Sequence, residues 1–229
     1  MTPNEKQQIA LADAVGAAVG AVGFVAGPVA GAISTVVCGV SASLATRKAI
    51  KLQKQEVISE RIPSADLPDI DNSSAKNDNN PYDYIGRTHY LLMNDFLADP
   101  TLCYGMDGEF STSIYYKNVT EMLPNYISDI HTITFSIDDL EICLNQRNNP
   151  MQQVLQEIEI TINPQLKSIL IDYENYTKRC TDFESLYGYS ILKEQEALNS
   201  IVFTDVEKQI ALSYMSTLRW GYWYWSHFE

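Results

Sequence analysis

The feature that most constrains this chain is a long uncharged run near its N-terminus. No charged residue occurs from Ala14 to Thr46, where the sequence reads AVGAAVGAVGFVAGPVAGAISTVVCGVSASLAT. At about 1.5 Å per residue, one straight helix over this run would reach about 50 Å, whereas the hydrocarbon core of a bilayer is roughly 30 Å thick. A single unbroken helix is therefore not expected, and the run has to be removed from water in some other arrangement.

A Gly-Pro pair near the middle of the run predicts where the helix breaks. Proline removes a backbone donor and disfavours helix in the residue before it. We therefore expect two helical arms, Ile9 to Ala26 and Val29 to Arg47, with Pro28 as the hinge of a hairpin. Each arm has about the length that crosses a bilayer.

Small residues recur at a step of four along both arms. Positions at this step form one stripe of a helix, and small side chains there let a second helix approach closely. Each interior glycine costs about 1 kcal/mol of helix stability relative to alanine, so the pattern favours a role in backbone contact. The predicted stripe, an interface within a membrane or between copies, consists of Gly16, Gly20, Gly23, Gly27, Gly31 and Gly39.

The Gly23-Gly27-Gly31 register within an Ala/Gly/Val run resembles the glycine-zipper segments of membrane-inserting proteins and of bacteriocin-like, pore-forming toxins. The resemblance covers residues 9–46, under a fifth of the chain, and names neither a target nor a receptor. It implies helices that associate with one another within or against a membrane. Asp13 departs from the pattern, since such segments usually tolerate a charge only near an interface.

A basic cluster follows the second arm directly and is predicted to contact lipid headgroups. Clustered basic residues prefer anionic headgroups and the cytoplasmic side of a membrane. A cleaved signal peptide is disfavoured, because the apolar run is too long and the start of the chain is barely basic. The predicted headgroup contacts are Arg47, Lys48, Lys51 and Lys54.

The competing interpretation places the hairpin in the core of a soluble protein, where Ala- and Gly-rich helices also pair closely. The membrane interpretation predicts a membrane-associated or secreted protein, whereas the core interpretation predicts a cytoplasmic one. Both interpretations stay open at the level of the sequence.

Charge and composition divide the chain into three predicted parts: a hairpin over residues 1–60, a linker over 61–81 and an acidic domain over 82–229. The linker is rich in Pro, Asn and Asp and has no apolar periodicity, so no regular element is expected there. Most of the net charge of −13 lies in the last part. This acidity argues against nucleic acid as a partner.

Apolar residues recur at helical spacing through the acidic domain and predict a bundle of five or six helices, so the predicted fold class is all-α. A capping box at Thr204 and Glu207 marks the start of the last helix. The stretch HTITFSI alternates like a strand, but the longer pattern around it favours helix. The predicted helices cover Tyr82–Ala98, Ile114–Leu123, Tyr126–Asn145, a segment after Asn149-Pro150, a long segment from Asn163-Pro164 to Leu186, and the C-terminal segment.

The last predicted helix carries all three tryptophans of the chain, Trp220, Trp223 and Trp225. Such rings pack in cores, but they also gather at membrane interfaces and in protein-binding sites. The cluster is therefore a candidate for either role, and a protein partner of the acidic domain is a further hypothesis.

Catalytic motifs are missing from the sequence. The histidines His89, His131 and His227 stand far apart, and no metalloprotease, phosphate-loop or nucleophile-elbow pattern occurs. The four cysteines form no CxxC pair, and one or two disulfides remain possible. We therefore predict no catalytic residue, no metal and no cofactor. An enzyme would need a deep pocket that gathers His89, His131 or paired acids.

The leading functional hypothesis is a membrane-associating or membrane-inserting protein, toxin-like or anchored. It would bind lipid or self-associate through its hairpin and be regulated by the acidic helical domain. The alternative is a soluble all-α interaction protein, of adaptor or immunity type, whose hairpin is core.

Overall fold

The computed structural model describes residues 1–21, 23, 27–54, 62–127, 135–157 and 163–228. Within these ranges the chain forms nine α-helices and no β-strand, which confirms the predicted all-α class. The first two helices form the predicted hairpin, and we call the described residues from 62 to 228 the body.

Helix α1 covers Pro3–Ala21 and helix α2 covers Pro28–Gln53. The break lies where the Gly-Pro pair predicts it, because Gly27 has a φ of 127°, a region that favours glycine, and Pro28 is the first residue of α2. The end of the predicted first arm, at residues 22 and 24–26, lies outside the described residues. The second helix continues past the predicted end at Arg47.

The body surrounds the hairpin. Helix α9 packs along α1, and α3 and α5 pack against α2. The helices of the body are α3 (Asp83–Ala98), α4 (Thr112–Met122), α5 (Ile137–Gln146), α6 (Met151–Glu157), α7 (Pro164–Thr177), α8 (Phe183–Asn199) and α9 (Asp205–His227). As a result, most of the uncharged run is buried inside a helical shell.

Local capping signals explain where several of these helices begin. Thr204 and Glu207 form the predicted capping box of α9. The helix predicted from Tyr126 agrees with α5 only from Ile137 onward, since Ser136 is the N-cap of α5 and pairs with Asp139 in a second capping box. Residues 128–134 of that prediction lie outside the described residues.

The long helix predicted from Asn163-Pro164 to Leu186 is two helices. Helix α7 ends at Thr177, and α8 begins after Asp182, whose carboxylate accepts a hydrogen bond from the backbone N–H of Ser185. Apolar spacing continues across this break because the side chains on both sides pack against the same core. Apolar spacing therefore predicts one helix where a local N-cap separates two.

The segment predicted as a linker contains two short 3₁₀ turns, Ser64–Asp66 and Ile70–Asn72, in its described part, residues 62–81. Three of its later residues, Ala75, Asn77 and Asn80, are buried, whereas Lys76 and Asp78 are exposed. The segment is thus held in place through side chains rather than through regular structure.

Candidate functional site

The residues singled out by the sequence are divided between the contact of the two hairpin helices and the surface between hairpin and body. Close contact within the hairpin depends on glycine. A Cβ atom added at Gly16 would lie 2.6 Å from the carbonyl oxygen of Cys38, and one at Gly20 would collide with the carbonyl of Ser34. Both glycines therefore face α2 of the same chain. Gly31 is buried within α2.

The remaining glycines of the stripe have different surroundings. A Cβ atom added at Gly23 would collide with the hydroxyl of Ser34, whereas one at Gly27 would meet no described atom within 4 Å. Gly39 faces the body, because an added Cβ would lie 2.6 Å from Nδ1 of His89 in α3. The stripe is thus divided between the partner arm and the body.

Asp13 is the centre of a buried polar group that joins α1 to the body, and we call Asp13, His89, Tyr90 and Trp225 the Asp13 cluster. The hydroxyl of Tyr90 and the indole N–H of Trp225 both donate to Oδ2 of Asp13, the latter at 3.1 Å. Nε2 of His89 lies 3.9 Å from the same oxygen. All four side chains are buried.

Burial controls the protonation of this cluster. It raises the pKa of Asp13 to about 8, although the hydrogen bonds from Tyr90 and Trp225 act in the opposite direction. It lowers the pKa of His89 to about 3. Near neutral pH the carboxyl and the imidazole are therefore both mainly uncharged, and their contact is not an ion pair. Among the described residues, neither ring nitrogen of His89 has a hydrogen-bond partner.

The Asp13 cluster gives the fold a defined pH dependence. Folded Asp13 keeps its proton up to about pH 8, whereas its ordinary pKa of 3.8 applies after unfolding, so its contribution to stability falls as pH rises through this window. Folded His89 is neutral down to about pH 3, against an ordinary 6.5, so its contribution falls as pH drops from 6.5 to 3. Between about pH 4 and 6.5 the two groups change the stability in opposite directions as pH rises. Above pH 6.5 only Asp13 contributes to the pH dependence.

We expect the difference in unfolding free energy between the parent and Asp13→Asn to change by about 2 kcal/mol between pH 6 and 8, with the parent losing stability as pH rises. Urea titrations at several pH values measure it. Asp182→Asn is the control, because that carboxylate is exposed and outside the cluster. Parallel curves for the parent and Asp13→Asn would show that Asp13 is ionised in the fold.

Two side chains of the predicted basic cluster are buried in the fold. Arg47 and Lys48 are only 5% and 7% exposed. The guanidinium of Arg47 lies 5.8 Å from the ring centroid of Phe228, and Lys48 donates to the carbonyl of Gly108. Lys54 is exposed and forms an ion pair with Glu5 at 2.8 Å, and Lys51 is half-buried. Two of the four predicted headgroup contacts therefore bind the body in this state.

The three tryptophans of the aromatic cluster are buried, and Trp225 contacts the hairpin. Trp225 donates to Asp13, and the indole N–H of Trp220 donates to Oδ1 of Asp83 at 3.2 Å. The rings of Trp220 and Trp223 meet edge to face, with centroids 6.1 Å apart. All three indoles thus serve packing within this fold.

A second buried polar group, the Arg219 network, connects the segment predicted as a linker to α8 and α9. Arg219 donates to Oδ1 of Asp83 and, from Nε at 2.9 Å, to Oε1 of Glu194. The side-chain amides of Asn77 and Asn80 donate to Oε2 of Glu194 at 2.6 and 3.0 Å. No motif in the sequence predicts this network. A single arginine among the apolar residues of the last helix was the available signal.

A disulfide joins the hairpin to the body covalently. Cys38 of α2 is bonded to Cys143 of α5, with their Cα atoms 5.6 Å apart. The sequence left the pairing open, because partners 105 positions apart have no local signature. Cys103 and Cys180 are free thiols, and burial raises the pKa of both.

The candidates for catalysis are scattered. His89 is in the core, and His131 lies outside the described residues. A cleft of about 490 Å³ opens between the start of α1, residues 180–183 and the end of α9, and Lys6 and Asp182 are the charged side chains in its lining. In the described ranges, no three His, Cys, Asp or Glu side chains come together in a way that could hold a metal ion.

One helix in the described part of the chain, α2, is long and apolar enough to cross a membrane, with a mean hydropathy of 1.7 over its most apolar window. That window is almost entirely buried by the rest of the fold. Length and composition alone do not distinguish a membrane span from the core helix of a soluble protein.

Comparison with known proteins gives no relative from which a role can be transferred. No family model matches the chain, and no curated protein or solved structure matches it. The contacts between hairpin and body are therefore the basis for any functional conclusion.

Proposed function

We propose that this protein associates with membranes conditionally. It stores an apolar hairpin inside its helical body, and α2 passes into lipid when hairpin and body separate. The observation that carries this proposal is the position of α2. The described helix with the composition of a membrane span is also buried inside the fold, where it packs against α1, α3 and α5.

Storage and insertion remove the same apolar surface from water. Burial of apolar surface contributes about 25 cal/mol per Å² whether protein or hydrocarbon replaces the water. The balance between the two states therefore depends on the apolar surface of the body that separation would expose and on the polar contacts that the hairpin makes with the body. Those contacts include the Asp13 cluster and the contacts of Arg47 and Lys48. They also include the hydroxyls of Tyr104 and Tyr115, which donate to the carbonyls of Leu44 and Val37 in α2 at 3.2 and 2.8 Å.

The hairpin has chemical features that suit transfer to lipid. The one buried carboxyl in the described part of the hairpin, that of Asp13, is mainly uncharged near neutral pH because burial raises its pKa to about 8. Separation from the body would also release Arg47 and Lys48 at the end of α2, where anionic headgroups attract such side chains. Gly39 would lose its contact with His89 and leave a small-residue surface for a second copy of the hairpin.

Flotation with vesicles tests the proposal. The full-length protein, with and without dithiothreitol, is mixed with phosphatidylcholine vesicles that contain or lack phosphatidylglycerol. We expect a fraction of the reduced protein to float with anionic vesicles, release a trapped dye and lose amide protection in body residues that cover α2. Protein that never floats with either vesicle, reduced or oxidised, would contradict the proposal.

The pairing of buried polar groups favours a second candidate, a soluble interaction protein whose hairpin is core. Asp13, Arg47 and Lys48 each have a partner in the body. A segment whose role was to enter lipid would not need these partners. This candidate predicts a monodisperse particle without detergent. It also predicts amide protection over residues 9–46 that vesicles leave unchanged.

A further inference from the structure

We propose that the Cys38–Cys143 disulfide prevents α2 from entering lipid, and that reduction by a dithiol is required before transfer. This inference rests on the proposed membrane function and adds a condition for it. It follows from where the bond lies along α2 and from what is attached to its other end.

Cys38 lies ten residues after the start of α2 at Pro28. At about 1.5 Å per residue, this distance is about 15 Å, which is half the thickness of a hydrocarbon core. If α2 spanned a bilayer from Pro28 onward, the sulfur of Cys38 would therefore lie near the midplane. Cys143 would have to follow it to that depth.

Helix α5, which carries Cys143, is unsuited to that position. It has three exposed carboxylates, Asp138, Asp139 and Glu141, within five residues of the cysteine. Along a helix these lie within about 8 Å of Cys143, so the intact bond would draw them into hydrocarbon, where ionised side chains are strongly disfavoured. The oxidised protein is thus expected to keep α2 in the body.

The reaction is thiol–disulfide exchange. A thiolate of the dithiol attacks one sulfur of the bond, forms a mixed disulfide and releases the other cysteine as a thiolate that takes up a proton. The second thiol of the reductant then displaces the first cysteine. Two electrons and two protons pass to the protein, which gains two thiols, while the reductant leaves as a disulfide.

Access to the sulfur atoms requires α5 to move. Both cysteines are buried, with 0% of Cys38 and 2% of Cys143 exposed. The face of α5 opposite Cys143 is in contact with water, since Glu141 is exposed and its neighbour Ile142 is 54% exposed, and the helix has only 10 residues. Local opening of such an element exposes the bond without global unfolding. Reduction also removes a cross-link over a long loop, which lowers the stability of the stored state.

Vesicle flotation of four preparations tests the proposal: oxidised parent, parent reduced with dithiothreitol, Cys143→Ser, and Cys103→Ser/Cys180→Ser in the oxidised form. The last is the matched control, because it removes the two free thiols and keeps the bond. We expect reduction or Cys143→Ser to increase the vesicle-bound fraction by about tenfold or more, since loss of a long-loop cross-link shifts such an equilibrium at least that far. The control should behave like oxidised parent.

The outcomes separate this inference from the function on which it rests. Equal flotation of oxidised and reduced parent would overturn the role of the disulfide and leave membrane association intact. No flotation of any preparation would overturn both. If Cys143→Ser fails to fold, reduction of the parent followed by reoxidation provides the same comparison, with far-UV circular dichroism as the test of folding and reversal of flotation as the expected result.

Discussion

Replacement of Arg219 by methionine is expected to lower the free energy of unfolding by about 3–5 kcal/mol, because removal of one partner from a buried ion pair leaves uncompensated charge behind. Asp83 and Glu194 would lose their shared cation, although Asn77 and Asn80 would still donate to Glu194. Urea denaturation followed by circular dichroism measures the change.

Two further variants test the cause of this loss of stability, one as a control and one as a partial rescue. Arg87→Met removes an arginine whose ion pair with Asp71 is exposed, so a loss below about 1 kcal/mol is expected. Adding Glu194→Gln to Arg219→Met removes one of the stranded carboxylates and should restore part of the lost stability. Equal effects of Arg219→Met and Arg87→Met would mean that the Arg219 network is open to water.

Gly20→Val is expected to lower the free energy of unfolding by about 3 kcal/mol, at the upper end of the usual cost of overpacking. The first added carbon already collides with the carbonyl of Ser34, which is backbone and cannot rotate away. The two arms of the hairpin would have to separate along their length. Thermal and urea unfolding measure the loss.

Gly188 provides the matched control for this substitution. It lies inside α8, and a Cβ atom added there would meet no described atom within 4 Å. Gly188→Ala should therefore stabilise the protein by up to about 1 kcal/mol through helix propensity, whereas Gly20→Ala should destabilise it. A gain in stability from both substitutions would contradict the close approach of α1 and α2.

The sequence predicts the parts of this fold that depend on neighbouring residues. Pro28 breaks the apolar run because its ring acts on adjacent backbone, and Thr204 starts α9 by binding a residue three positions later. The break between α7 and α8 also depends on neighbouring residues, since Asp182 is the N-cap of α8. Continuous apolar spacing outweighed that short signal.

Contacts between distant residues could not be predicted in this way. Arg47 and Lys48 look like a solvated basic cluster because their partners, Phe228 and Gly108, lie far along the chain. Likewise, nothing near Asp13 indicates that Tyr90 and Trp225 will donate to it. Spacing indicates which residues can share a face, but only tertiary structure decides what covers that face.

The packing of α9 on α1 has a consequence for biosynthesis. Ribosomes synthesise the hairpin before α9, and roughly 150 residues separate the end of α2 at Gln53 from the start of α9 at Asp205. At a synthesis rate of about 5–20 residues per second, α9 is completed on the order of 10 s after the hairpin. During that interval the apolar surface of α1 that α9 later covers is open to other apolar surfaces, such as those of a chaperone.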